Sequence, residues 1–279
     1  MNDELREKHL RLVGIINTIG KACIAYSGGV DSALLLKVFR DTLDEKRVLA
    51  ITAVSDTYSK SEKIMAEKLA QFIGVKHITL QTTETDDPDF IDNNAKRCYY
   101  CKKSFYKELL QIAHVHGFAI ICDGSNIDDL NDYRMGKKAA EEFGVRSPLI
   151  EAGIGKEDVR AISRELGLPE WDRPANPCLA SRIPYGNKIT LEKLSTVEQS
   201  EEFIKSLGFS TVRVRHHGEI ARIEVPQGDI ERIMDVPIRK TIAENLKKFG
   251  FNWISVDIEG YRMGSMNEVL NLEKNMSSS

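Results

Sequence analysis

The run "AYSGGVDSALLL", residues 25–36, constrains the fold more than any other stretch of the chain. The apolar strand pattern "KACIAY" enters it, and "SALLLKVFRDTL" leaves it with apolar residues at helical spacing. Adjacent Gly28 and Gly29 let the backbone turn tightly and bring its N–H groups close to a ligand. A helix N-terminus carries donors without intrahelical partners and the positive end of the macrodipole, so the turn suits an anion, phosphate first. No Gly-Lys-Ser/Thr follows, which excludes the loop that clasps outer phosphates with a lysine. A plainer use of the same residues is a tight turn with Ser27 near an N-cap and Asp31 favoured by the dipole.

The pattern then repeats. "RVLAITAV", "KHITLQTT" and "FAIICDGS" read as strands, separated by the helices "SEKIMAEKLAQFIG" and "KKSFYKELLQIAHVHG"; "GKKAAEEFG" and "KEDVRAISRELG" add two more helices. Such alternation predicts α/β architecture, a doubly wound parallel sheet, with ligands beyond the carboxyl ends of its strands. "LPEWDRPANPCLASRIPYG" breaks the period with four prolines and reads as a junction and site loop. Beyond it a helix, the strands "STVRVRHH" and "EIARIEVP", a long helical stretch at 229–250 and the strand "FNWISVDI" predict a second, smaller α+β domain. The expected boundaries are 1–176, 177–270 and a frayed tail at 271–279.

At 42% hydrophobic and 29% charged residues the composition is that of a globular protein. A formal charge of -3 gives no sequence-independent grip on nucleic acid. The N-terminal segment lacks a signal-peptide core and no run is long enough to span a bilayer, so a cytoplasmic protein with neither membrane nor nucleic-acid partners is expected. In that compartment the five cysteines suit metal or sulfur chemistry better than structural disulfides.

"SGGVDS" between strand and helix resembles the pyrophosphate loop of the PP-loop ATP pyrophosphatases, of the adenine nucleotide alpha hydrolase-like fold. The resemblance implies ATP cleaved to AMP and pyrophosphate, with Ser27, Gly28, Gly29, Asp31 and Ser32 matching the motif and Ala25 just before it. It places adenine near Ala53 and Val54 in "AVSDTYS". In "CDGSNIDD", Gly124 and Asp129 join the ATP site, and carboxylates such as Asp31 and Asp128 suit Mg²⁺ bridging phosphate oxygens; individually they are equally ordinary as loop and cap residues. Over nearly the whole length the chain resembles the LarE family, ATP-dependent sulfur transferases of nickel-pincer nucleotide biosynthesis for lactate racemase. "CYYCKKSFY", "DGSNIDDLNDYRMG", "CLASRIPYG", "VRVRHHGEIARIEVP" and "DIEGYRMGSMN" carry that likeness. It implies a pyridinium-3,5-biscarboxylate mononucleotide substrate, carboxylate adenylation, conversion to thiocarboxylates, and a homo-oligomer.

The cysteines bear on the sulfur source. One branch of the family uses a cysteine at the position of Cys178 as a sacrificial donor that ends as dehydroalanine. Cys98, Cys101 and Cys178, a Cys-x-x-Cys just ahead of a helix plus a third cysteine in the Pro-rich loop, match the other branch. There three thiolates hold a 4Fe-4S cluster and leave one iron open to an extra sulfide. Zinc would need a fourth ligand that no histidine offers at a conventional spacing. Cys23 and Cys122, in strands, read as core residues. Arg213 and Arg215 alternate with Val212 and Val214 and so share one strand face, with Glu224 on the next strand. The pair suits phosphate or carboxylate, or else a surface ion pair. By resemblance Arg213, Arg215, Glu224, Ser181 and Arg182 are substrate residues, and Arg134 and Arg262 lesser candidates. An amide-forming relative such as an NAD synthetase, a tRNA-thiolating relative and a non-catalytic ATP sensor share the loop; the first would need none of the three cysteines.

Overall fold

A computed structural model of the chain describes residues 2–130, 135–169 and 171–268; Arg134 and the tail expected to fray lie outside these. The chain divides into two units, one formed by residues up to 84 with 96–176, the other by 85–95 with 177 onward. The excursion at 85–95 was not legible as part of the second unit.

In the first unit β1 (Ala22–Ala25), β2 (Val48–Val54), β3 (Lys76–Gln81) and β4 (Ile121–Asp123) form a sheet in the order β3-β2-β1-β4, parallel throughout. Its helices are α1 (Asp3–Ile19), α2 (Val30–Thr42) and α3 (Lys60–Ile73). The short α4 (Pro88–Ile91) lies in the excursion, and α5 (Arg97–Val115), α6 (Met135–Glu142), α7 (Pro148–Glu151) and α8 (Lys156–Glu165) complete the layer. Alternation along β1 makes the sheet two-faced. Ala22 and Ile24 pack with Leu12 and Ile16 of α1, Leu35 of α2 and Ile162 of α8. Cys23 packs with Leu49, Ile51 and Leu109 and Ala113 of α5. This is the doubly wound layer that the strand–helix alternation predicts.

The second unit has α9 (Leu191–Ser206), β5 (Arg213–His217), β6 (Ile220–Glu224), α10 (Ile230–Met234), α11 (Val236–Lys248) and β7 (Trp253–Val256). Its sheet is mixed, β5 antiparallel to β6 and β6 parallel to β7. The stretch at 229–250 is two helices because the chain turns extended at Asp235, with Pro237 in the first turn of α11, where a missing N–H is harmless. Among the described residues no helix is long and apolar enough to cross a membrane.

Candidate active site

The glycine loop joins β1 to α2. Gly28 has φ +72, and a Cβ there would stand 2.7 Å from Cβ of Ala66, so this position requires glycine; Gly29 has an ordinary φ of -73. Ser32 Oγ donates to the Gly29 carbonyl (3.0 Å), accepts from the Ser27 amide (3.3 Å) and lies 3.1 Å from Ser27 Oγ. Tyr58 donates its hydroxyl to the Ser27 carbonyl at 2.7 Å. The two serines thus fold the loop back on the first turn of α2, whose N-cap Gly29 offers no side chain to its amides. That geometry leaves the dipole's positive end facing whatever the loop encloses.

Asp31 sits in that first turn. Burial pushes its carboxyl above the ordinary value and Asp129 adds to the rise, while the hydrogen bond from Asn126 and the charge of Lys156 oppose it. Asn126 is buried and central: its amide Nδ2 reaches Asp31 Oδ1 at 2.8 Å, its Oδ1 accepts from the Asp128 N–H at 3.0 Å, and its N–H donates to Asp129 Oδ2 at 3.1 Å. Asp128 also accepts from the Lys156 amide at 2.6 Å. A Cβ on Gly124 would come within 2.7 Å of Ser32 N, so the loop after β4 lies hard against the start of α2. Ala53 and Val54 end β2 opposite Leu80 and Gln81. Just beyond them Ser55 and Thr57 donate to buried Glu84 Oε1 at 2.5 and 2.9 Å, a support that the sequence did not reveal.

The second unit gathers charge in its interior. Arg182, Arg213, Arg215, Glu201 and Glu224 are all at most 5% exposed. Arg182 reaches Glu201 through Nε (2.8 Å) and Nη2 (3.0 Å), and its Nη1 serves the carbonyls of Pro177 and Cys178 and Ser181 Oγ. Arg215 pairs with Glu224 at 2.6 Å and donates to the Ser181 carbonyl at 3.2 Å; Arg222 joins Glu224 at 3.1 Å. The pair Arg213 and Arg215 does share a face, but that face is buried, so the surface ion-pair alternative does not hold. Burial would raise the Glu201 carboxyl, but Arg182 and Arg213 and the Val214 N–H hold it below the usual carboxylate range. Arg213 lies over Tyr261, 5.3 Å from the ring centre, and burial with the repulsion of Arg182 and Arg215 lowers its own pKa. Arg262 pairs with Glu259 at 2.8 Å.

None of the five cysteines is in a disulfide; Cys23 and Cys122 are buried in strands, and burial pushes the Cys23 thiol up to about 12. Cys98 and Cys101 are the second and fifth residues of α5, not ahead of the helix as expected from sequence; Lys96 supplies no side-chain cap that would have marked the start. Three residues apart on one helix, they share a face. Cys178 is exposed and precedes the 3-10 turn Leu179–Arg182. Cys98 and Cys101 belong to the first unit and Cys178 to the second. Among the described residues no three His, Cys, Asp or Glu side chains are gathered as a metal-binding group. As soft donors on turn and helix starts, the thiols suit iron–sulfur ligation.

No family model matches the chain. It is 44% identical over 267 residues to an uncharacterized protein of Synechocystis sp., covering 95% of this chain and 99% of the relative. It is 39% identical over 269 residues to the pyridinium-3,5-bisthiocarboxylic acid mononucleotide synthase of Lactiplantibacillus plantarum, covering 95% of this chain and 96% of that enzyme. An uncharacterized protein of Methanocaldococcus jannaschii is 31% identical over 242 residues, 87% of this chain and 91% of its own length. With similarity running the length of both units, and a parallel α/β layer that carries the lysine-free glycine loop, the chain belongs to the LarE family of ATP-dependent sulfur transferases.

Proposed function

We propose that the enzyme adenylates the carboxylates of a pyridinium-3,5-biscarboxylate mononucleotide and converts them to thiocarboxylates, in the cytoplasm and as a homo-oligomer, for nickel-pincer cofactor synthesis. The observation that carries the reading is the loop at Ser27–Gly28–Gly29, folded onto an open helix N-terminus with Asp31 in its first turn. A carboxylate oxygen attacks the α-phosphorus of ATP and pyrophosphate departs with the electron pair. A sulfur nucleophile then attacks the acyl carbon and AMP leaves, so a poor electrophile has become a mixed anhydride.

In this scheme Ser27, Gly28, Gly29 and Ser32 hold the departing pyrophosphate, and Ala25, Ala53, Val54, Gly124 and Asp129 border the nucleotide. Asp31 and Asp128 would hold Mg²⁺, whose charge offsets that of the phosphate oxygens. Ser181, Arg213 and Arg215 meet the anionic substrate, whose phosphate and carboxylates match guanidinium donors. Arg182 and Glu224 orient them: Arg182 holds the backbone of the Cys178 turn, and Glu224 aligns Arg215. Cys98, Cys101 and Cys178 would hold a 4Fe-4S cluster, which would supply the sulfide.

The test is the products. With ATP, Mg²⁺ and the biscarboxylate mononucleotide, AMP and pyrophosphate are expected alongside a thiocarboxylate. ADP and orthophosphate in their place would overturn the reading.

A further inference from the structure

Asn93 belongs to no motif, lying in "IDNNAK" between a short helix and the cysteine helix. Two structural facts single it out. It is fully buried, and its φ of 53 makes it the one non-glycine residue with left-handed backbone among those described. Asn tolerates that region better than most residues, but the conformation persists only where surroundings fix it.

Its side chain supplies the fixing. Nδ2 lies 3.2 Å from the Ile183 carbonyl, 2.8 Å from that of Pro184 and 2.9 Å from that of Asn187. Two amide hydrogens serve three carbonyls, so one hydrogen is shared. The Asn93 carbonyl in turn accepts from Gly186 N at 3.1 Å, and Ile189 N donates to the Ile91 carbonyl at 2.9 Å. One residue therefore holds "IPYGN" at several backbone points. Asp would match the backbone preference but has no donor, and Gly has the backbone freedom but no amide.

The held loop is continuous with the sulfur turn. Ile183 N closes the 3-10 turn on the Ala180 carbonyl (3.1 Å), and Ser181 N closes it on the Cys178 carbonyl (2.9 Å). Arg182 grips the Cys178 end, donating to that carbonyl at 3.2 Å. The turn that presents Cys178 is pinned at one end by Arg182 and at the other by Asn93. We propose that Asn93 is a positioning residue for the sulfur-transfer step, setting the orientation of Cys178 through residues 183–187. This rests on the reading that Cys178 handles sulfur.

The test is Asn93→Gly in the full-length protein, which keeps the backbone conformation and removes the amide. Sulfur transfer is expected to fall by about 10- to 100-fold, the scale of a misplacement near 1 Å, with the melting transition retained and pyrophosphate release within about threefold of the parent. Alkylation of Cys178 by iodoacetamide on iron-free protein, followed peptide by peptide, is expected to change rate by at least about threefold while Cys98 does not. An unchanged Cys178 rate overturns the proposal, as does a parallel change at Cys98, which would mean general loosening. If the glycine variant does not fold, Asn93→Asp is judged on the same readouts. A Cys178-specific change in a protein whose parent transfers no sulfur would uphold the positioning and defeat the sulfur reading alone.

Discussion

Asp31 meets opposed demands: burial and Asp129 disfavour its charge, and the Asn126 amide, a backbone hydrogen bond and Lys156 favour it. A carboxylate whose charge burial disfavours gains from a cation beside it, as a cation-bridged phosphate would provide. Asp31→Ala is therefore expected to cut pyrophosphate release by about 100-fold or more, the scale of losing one preorganised electrostatic group, with circular dichroism and melting near the parent. Glu201 meets the reverse case. Its folded carboxyl is held below the unfolded value by Arg182 and Arg213, so its contribution to stability is complete above the ordinary glutamate pKa of 4.5 and is lost as pH falls through the lower folded value. Denaturant melts from pH 7 to pH 3 are expected to show this acid-side loss in the parent, and Glu201→Gln to flatten it. Glu201→Gln also leaves Arg182 buried without its carboxylate, which costs about 3–5 kcal/mol. Sequence inspection found the arginines and missed Glu201, although a signal existed: it falls on the apolar stripe of Leu194, Val197 and Ile204. Glu62 shows the same signature beside Ala66, Leu69 and Ile73, and it accepts hydrogen bonds from Arg173 and Asn176.

At the scale of elements, the strand–helix alternation was legible because each element buries one periodic face, and that period is written in the residues. Helix starts were less so. α5 begins without a side-chain cap, so its first five residues, with both of its cysteines, read as lying ahead of the helix. The excursion at 85–95 was invisible for a different reason: its place is fixed by Asn93 reaching carbonyls some ninety residues away, a contact without local pattern. The junction of β4 with α2 shows how such packing acts on the site. Gly124→Ala would set a Cβ 2.7 Å from backbone atoms of Ser32, and neither side is a flexible side chain that can yield. The loop must shift, at about 1–3 kcal/mol of overpacking. The expected result is a raised KM for ATP with a smaller change in kcat, checked by pyrophosphate release against ATP concentration; an unchanged KM would show that the loop after β4 does not set the nucleotide site.

The whole molecule distributes its chemistry over two units, with the glycine loop, Cys98 and Cys101 on one and Cys178 with the buried arginines on the other. That division makes the sulfur source a question about all three thiols together. If they share a cubane, protein purified without oxygen is expected to hold about four irons per chain and to absorb broadly in the visible. Exposure to air should bleach it, because an iron without a protein ligand is open to oxidation. Cys98→Ala, Cys101→Ala and Cys178→Ala should each lose iron and sulfur transfer together while adenylation survives, since the phosphate chemistry belongs to the loop after β1. A sacrificial thiol predicts another pattern: only Cys178→Ala is inactive, Cys98 and Cys101 are dispensable, and the spent chain has lost one H₂S. Cys178 is exposed, as either mechanism requires, so exposure does not separate them. The test therefore falls on the pair on α5, which has no task in the sacrificial route. Anaerobically reconstituted protein without bound iron, turning over once and leaving dehydroalanine at position 178, would overturn the cluster.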